Sequence, residues 1–82
     1  MTYKQKYLKH FGYGEQSFVS CERCKGPASD IHHIKYRSHG RDDSIENLIA
    51  LCRDCHNLAH AEKLSKVELQ MIHNKFLANY AR

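Results

Sequence analysis

Residues 21–60 read CERCKGPASDIHHIKYRSHGRDDSIENLIALCRDCHNLAH, and this stretch decides the fold. Two Cys-x-x-Cys pairs, Cys21/Cys24 and Cys52/Cys55, bracket the dipeptide His32-His33, and His56 and His60 follow the second pair. Eight such metal-binding side chains are more than one zinc ion can use. Four thiolates complete a tetrahedral site, with Zn–S near ~2.3 Å, and leave no position open for water, so that ion is structural. Two residues between ligands let a tight turn point both sulfurs at one ion. The histidines remain, and their spacing points to a second site with a different job. His56 and His60 are i and i+4 on a helix, hence on one face. Two imidazoles placed in this way can reach one metal.

The second cysteine pair opens a helix that begins at Arg53, with Leu58, Ala59 and Leu64 as its apolar positions. One ligand pair on a knuckle and one at a helix start is the treble-clef arrangement. The 27 residues between Cys24 and Cys52 exceed what a simple zinc ribbon needs, so something is built inside the finger. Residues 29–34 (SDIHHI) read as a short strand, and residues 48–51 (LIAL) as a second one. Between them, residues 35–47 are polar and loop-like, with Gly40 as a turn. Outside the finger, Tyr3, Tyr7, Leu8 and Phe11 predict a basic amphipathic helix over about residues 2–11, stopped by Gly12 and Gly14. Ser65 and Glu68 form a capping box for a last helix over about 65–80, with Leu69, Ile72, Phe76 and Tyr80 on one face. The expected class is α+β, a single domain spanning residues 1–82.

A chain of 82 residues builds only a marginal core. Small domains of this kind are often stapled by disulfides or a metal. The paired C-x-x-C spacing favours zinc over two disulfides. No βαβ pattern surrounds either pair, which speaks against a redox role. Residues 1–11 (MTYKQKYLKHF) are neither a signal peptide nor a membrane span. The expected location is therefore cytoplasmic, where reduced thiols bind zinc rather than pair. Thirteen Lys and Arg against nine Asp and Glu give a net charge of +4. That balance suits a nucleic-acid partner, and no membrane partner is expected. His10 and His73 read as solvated surface residues, and His39 in the polar loop is ambiguous. Asp42, Asp43 and Glu46 are expected to face solvent or cap rather than bind metal.

The pattern C-x2-C, HHI, ENL, LC-x2-CH-x3-H resembles the HNH endonucleases of the ββα-metal class. It covers 40 of the 82 residues, and every functional letter is present. The resemblance implies that His32 binds a catalytic divalent metal and that His33 is the general base activating water. Asn47 matches the central Asn, which holds the loop and the base in position. His56 and His60 match the remaining metal ligands. It further implies a structural Zn²⁺ on Cys21, Cys24, Cys52 and Cys55, and DNA as substrate. The catalytic ion could be Mg²⁺, Mn²⁺, Ni²⁺, Co²⁺ or Zn²⁺. Neutral nitrogen ligands favour the later transition metals by affinity, whereas Mg²⁺ has abundance. Adjacent strand residues point to opposite faces, yet His32 and His33 must reach one site. The strand is therefore expected to end or twist there, with the 35–46 loop wrapping the base.

Lys35, Arg37, Arg41 and Arg53 are the candidate DNA contacts, with Lys4, Lys6 and Lys9 on the first helix. One site per chain nicks one strand. Two other readings stand beside this one. One is a non-catalytic zinc module binding nucleic acid or protein. The other is an accessory subunit of a phage packaging or recombination machine with a protein partner, in a bacterial or phage-infected cell.

Overall fold

The protein, seen in a computed structural model, is described at residues 2–14, 18–37 and 40–80, with backbone alone at 36, 37, 40 and 41. Its elements are α1 (Tyr3–His10), β1 (Asp30–His33), β2 (Tyr36–Arg37), β3 (Gly40–Arg41), a 3-10 turn (Ile45–Asn47), β4 (Leu48–Leu51), α2 (Arg53–His60) and α3 (Lys66–Tyr80). This is the α+β arrangement expected, with a helix on either side of the finger.

The centre is an antiparallel pair, β1 with β4, in the register Asp30↔Leu51, Ile31↔Ala50, His32↔Ile49 and His33↔Leu48. β4 is buried at every position, which is why its sequence is an unbroken apolar run instead of an alternating one. Its side chains still alternate between two cores. Ile49 and Leu51 pack with Ile34, Leu64, Leu69, Cys21 and Cys55. Leu48 and Ala50 pack with Tyr7, Phe11, Ile31 and Ile45. The sheet thus lies between α2 on one face and α1 on the other, and α3 contributes to both cores through Ile72 and Phe76. The register assigns His32 to the α2 face and His33 to the α1 face.

Helix ends follow local chemistry. Thr2 caps α1: its hydroxyl accepts from the Gln5 N–H (3.1 Å), and the Gln5 side chain accepts from the Thr2 N–H (2.9 Å). At the other end Gly12 takes φ +73°, and the Tyr13 N–H returns to the Leu8 carbonyl (2.8 Å). Ser65 and Glu68 make the expected reciprocal cap on α3.

Two expectations need correction. The segment 35–47 is not all loop: Tyr36–Arg37 pairs with Gly40–Arg41, and Ile45–Asn47 is a 3-10 turn. Strands of two residues leave no periodic signal in sequence. Helix α2 does not run on to Leu64 but stops at His60. Glu62 adopts φ +59°, and the Lys63 N–H bonds the Leu58 carbonyl (2.9 Å), closing the helix without a glycine to announce it. Leu64 is buried from the connector instead.

Candidate active site

The four cysteines converge as expected. Their sulfurs lie within 4.8 Å of one another. Each C-x-x-C turn folds alike: the Cys24 N–H points at Cys21 Sγ (3.5 Å), and the Cys55 N–H at Cys52 Sγ (3.4 Å). The second of these caps α2. Cys24 and Cys52 Sγ are 3.5 Å apart, close to the ~3.8 Å edge of a tetrahedron with ~2.3 Å Zn–S bonds. The donor set therefore fits zinc. Burial pushes Cys55 up to about 12, although the Arg23 guanidinium lies 3.5 Å from its sulfur. Burial acts likewise on Cys21, but the backbone N–H groups around it outweigh this and bring it down to about 7. Ligation requires thiolates, so binding of zinc here would release protons.

The second cluster is made by His32, His56 and His60, whose ligating nitrogens also lie within 4.8 Å of one another. Helical spacing places His56 and His60 together, with their Nε2 atoms 3.0 Å apart. Strand β1 supplies His32, with its ring centroid 5.1 Å from that of His56 and 5.5 Å from that of His60. Burial, reinforced by the neighbouring histidines, lowers His32 to about 4. Its ring is thus neutral at pH 7, the form that binds a metal. Asp30, two residues before His32 and on the same strand face, lies 3.2 Å from His56 Nδ1. This carboxylate contact is placed to orient His56, as carboxylate partners do for metal-binding histidines. Three imidazoles fit a divalent transition metal and leave positions open on it.

His33 ends β1, and Ile34 turns away as a bend. Although His32 and His33 take opposite strand faces, both line one cleft of about 450 Å³ together with His60, Ala59, Leu64 and Lys66. The His33 side chain is only 3% exposed, its ring centroid 4.4 Å from that of Tyr3 on α1. Its Nε2 lies 2.7 Å from Asp43 Oδ1. Asp43, expected to face solvent or cap, is partly exposed and in addition meets His33.

Asn47 is buried and fully engaged. Its Nδ2 donates to the carbonyls of Lys35 (2.9 Å) and Asp42 (2.8 Å), and its Oδ1 accepts from the Lys35 N–H (3.0 Å). One side chain thereby ties together both ends of the segment that follows His33.

The basic candidates are dispersed. Lys35 is exposed beside the Asn47 clamp. Arg53 is exposed next to Cys24 and Cys52, beside the sulfur cluster and not the histidine cluster. The side chains of Arg37 and Arg41, and all of His39, lie outside the described residues. Lys4, Lys6 and Lys9 are exposed on α1.

His73 overturns its surface assignment: it is fully buried. Its Nδ1 lies 2.7 Å from Glu22 Oε1 and its Nε2 2.6 Å from the Ile45 carbonyl. Glu22, between the two cysteines of the first knuckle, also accepts from the Tyr7 hydroxyl (2.6 Å) and the Ala50 N–H (3.1 Å). A signal did exist, since His73 falls four residues after Leu69 on the apolar face of α3.

A zinc-type four-cysteine frame carrying a three-histidine cluster on a strand and a helix is a defined class of metal module. The HNH endonuclease family matches residues 21–62, just over half the chain, and the protein belongs to that family. It is similar to the type IV methyl-directed restriction enzyme EcoKMcrA of Escherichia coli (strain K12), 30% identical over 69 residues, covering 72% of this chain and 25% of the enzyme. It is also similar to a mitochondrial DNA mismatch repair protein mutS homolog of Sarcophyton glaucum, 37% identical over 60 residues, covering 65% of this chain and 6% of that protein. The chain thus spans a quarter or less of these relatives. No solved structure matches it significantly. Among the described residues no helix is long and apolar enough to cross a membrane.

Proposed function

We propose that this domain is a metal-dependent DNA endonuclease that nicks one strand per active site. The observation that carries the reading is that His33 lines the same cleft as His32 and His60 while belonging to neither metal cluster. His32, His56 and His60 would hold a divalent ion, which when bound offsets charge on the phosphate and on the leaving oxygen. His33 then has the role of general base, since a neutral imidazole can take a proton from water near pH 7. As the water O–H bond breaks, its proton passes to His33. The water oxygen bonds to phosphorus as the P–O3′ bond breaks, and the 3′ oxygen takes a proton from solvent. The products are a 5′-phosphate and a 3′-hydroxyl. Asn47 keeps the segment after His33 folded, so the base does not shift with it. Lys35 supplies a phosphate contact close by, whereas Arg53 would touch the backbone farther off. Membership of the HNH family and the similarity to a restriction enzyme support DNA as the substrate.

A supercoiled-plasmid nicking assay tests this. Zinc-loaded protein supplied with Mg²⁺, Mn²⁺, Ni²⁺ or Co²⁺ is expected to nick, and EDTA to stop it. His33→Ala should reduce the rate by at least about 100-fold. Absence of nicking with every metal refutes the enzyme reading, and undiminished nicking by His33→Ala refutes the assignment of the base.

A further inference from the structure

We propose that Asp43 is the positioning residue of His33, holding the imidazole in the tautomer whose hydrogen is on Nε2 and whose lone pair is on Nδ1. This rests on His33 being the general base.

An ionised carboxylate can only accept a hydrogen bond. At 2.7 Å from Asp43 Oδ1, the His33 Nε2 must therefore carry the hydrogen. A neutral ring has one N–H, so the basic electron pair is assigned to Nδ1. With His33 only 3% exposed, bulk water does not compete for Nε2. Tyr3 packs against the ring from α1 and limits its rotation.

The carboxylate is itself held. Asp43 lies between two pinned neighbours: the Asp42 carbonyl accepts from Asn47 Nδ2 (2.8 Å), and the Ser44 N–H donates to Asp42 Oδ1 (3.0 Å). The Asn47 N–H closes the turn on the Ser44 carbonyl (2.9 Å). Asn47 therefore acts on His33 at second hand, by fixing the turn that delivers Asp43. Once His33 takes the proton from water, the imidazolium forms against a carboxylate already in contact. Asp43 stabilises that charge and accepts no proton, the logic of an aspartate–histidine pair in a catalytic triad.

The test combines kinetics with tautomer spectroscopy on protein loaded with diamagnetic zinc. Two-bond ¹H–¹⁵N NMR correlations of His33 are expected to show the Nε2–H tautomer in the wild type and a mixture in Asp43→Asn. In the same variant kcat for nicking is expected to fall by at least about 100-fold, with KM changed by less than about 2-fold. Its melting temperature should stay close to the wild-type value, because Asp43 is partly exposed. An Nδ1–H tautomer in the wild type overturns the proposal, as does a kcat within about 3-fold of wild type in Asp43→Asn. A loss of kcat with an unaltered His33 tautomer overturns it too. Undiminished nicking by His33→Ala sinks the general-base reading itself, whichever tautomer is seen.

Discussion

Replacing His73 by leucine is the sharpest probe of what holds this small domain together. Both His73 and Glu22 have fully buried side chains. His73 has acceptors at both ring nitrogens, the Glu22 carboxylate and the Ile45 carbonyl. Burial alone would lower its pKa, but the hydrogen bond and charge of Glu22 outweigh that and raise it. The ring is therefore held as a cation opposite the carboxylate. The Tyr7 hydroxyl, kept protonated by burial and by Glu22, donates from the other side. His73→Leu leaves the Glu22 charge buried without its counterion, a change that costs about 3–5 kcal/mol. In a domain of this size each kcal/mol moves Tm by about 4–8 °C, so Tm should fall by at least about 12 °C. The melts must share one zinc concentration, because bound metal shifts Tm by mass action. Glu22→Gln removes the charge, so the double variant should lose about 2 kcal/mol less than the two single losses added. The pH dependence has a definite sign. A pKa raised by folding stabilises fully below the unfolded value of ~6.5, and that contribution disappears as pH rises through the folded value. The difference in Tm between wild type and His73→Leu should therefore be widest below about pH 6.5 and shrink in alkaline buffer. A fall of less than about 3 °C, or strict additivity in the double variant, would refute the buried ion pair.

Two further outcomes concern the metal clusters. Asp30→Asn removes the carboxylate charge beside His56 Nδ1, and calorimetric titration of metal into zinc-loaded protein should show affinity at the histidine cluster falling by about 10- to 100-fold; a change below about 2-fold would mean that Asp30 does not support the ligand. Cys52→Ser removes a sulfur of the four-cysteine cluster, although the serine hydroxyl can still cap α2, so circular dichroism should show an unfolded chain, whereas His60→Ala should stay folded yet lose nicking. Equal losses of stability in these two variants would contradict the division between frame and site.

What could be read from the residues alone was whatever short-range geometry controls. A C-x-x-C turn brings its two sulfurs together through one N–H···S contact, and a helix brings His56 beside His60 at i and i+4, so neither depends on the rest of the fold. The caps at Thr2 and Ser65 and the continuous apolar run of β4 are local in the same sense. The pairing of β1 with β4 was decided in three dimensions, and its register sends His32 toward α2 and His33 toward α1. From that follow the contacts that no spacing encodes: Asp30 with His56, Asp43 with His33 across ten residues of sequence, and Glu22 with His73 across 51. In sequence a buried carboxylate looks like a solvated one, because its partners are set by packing. Asp30, Asp43 and Glu22 are therefore the charged residues whose roles waited for the tertiary structure.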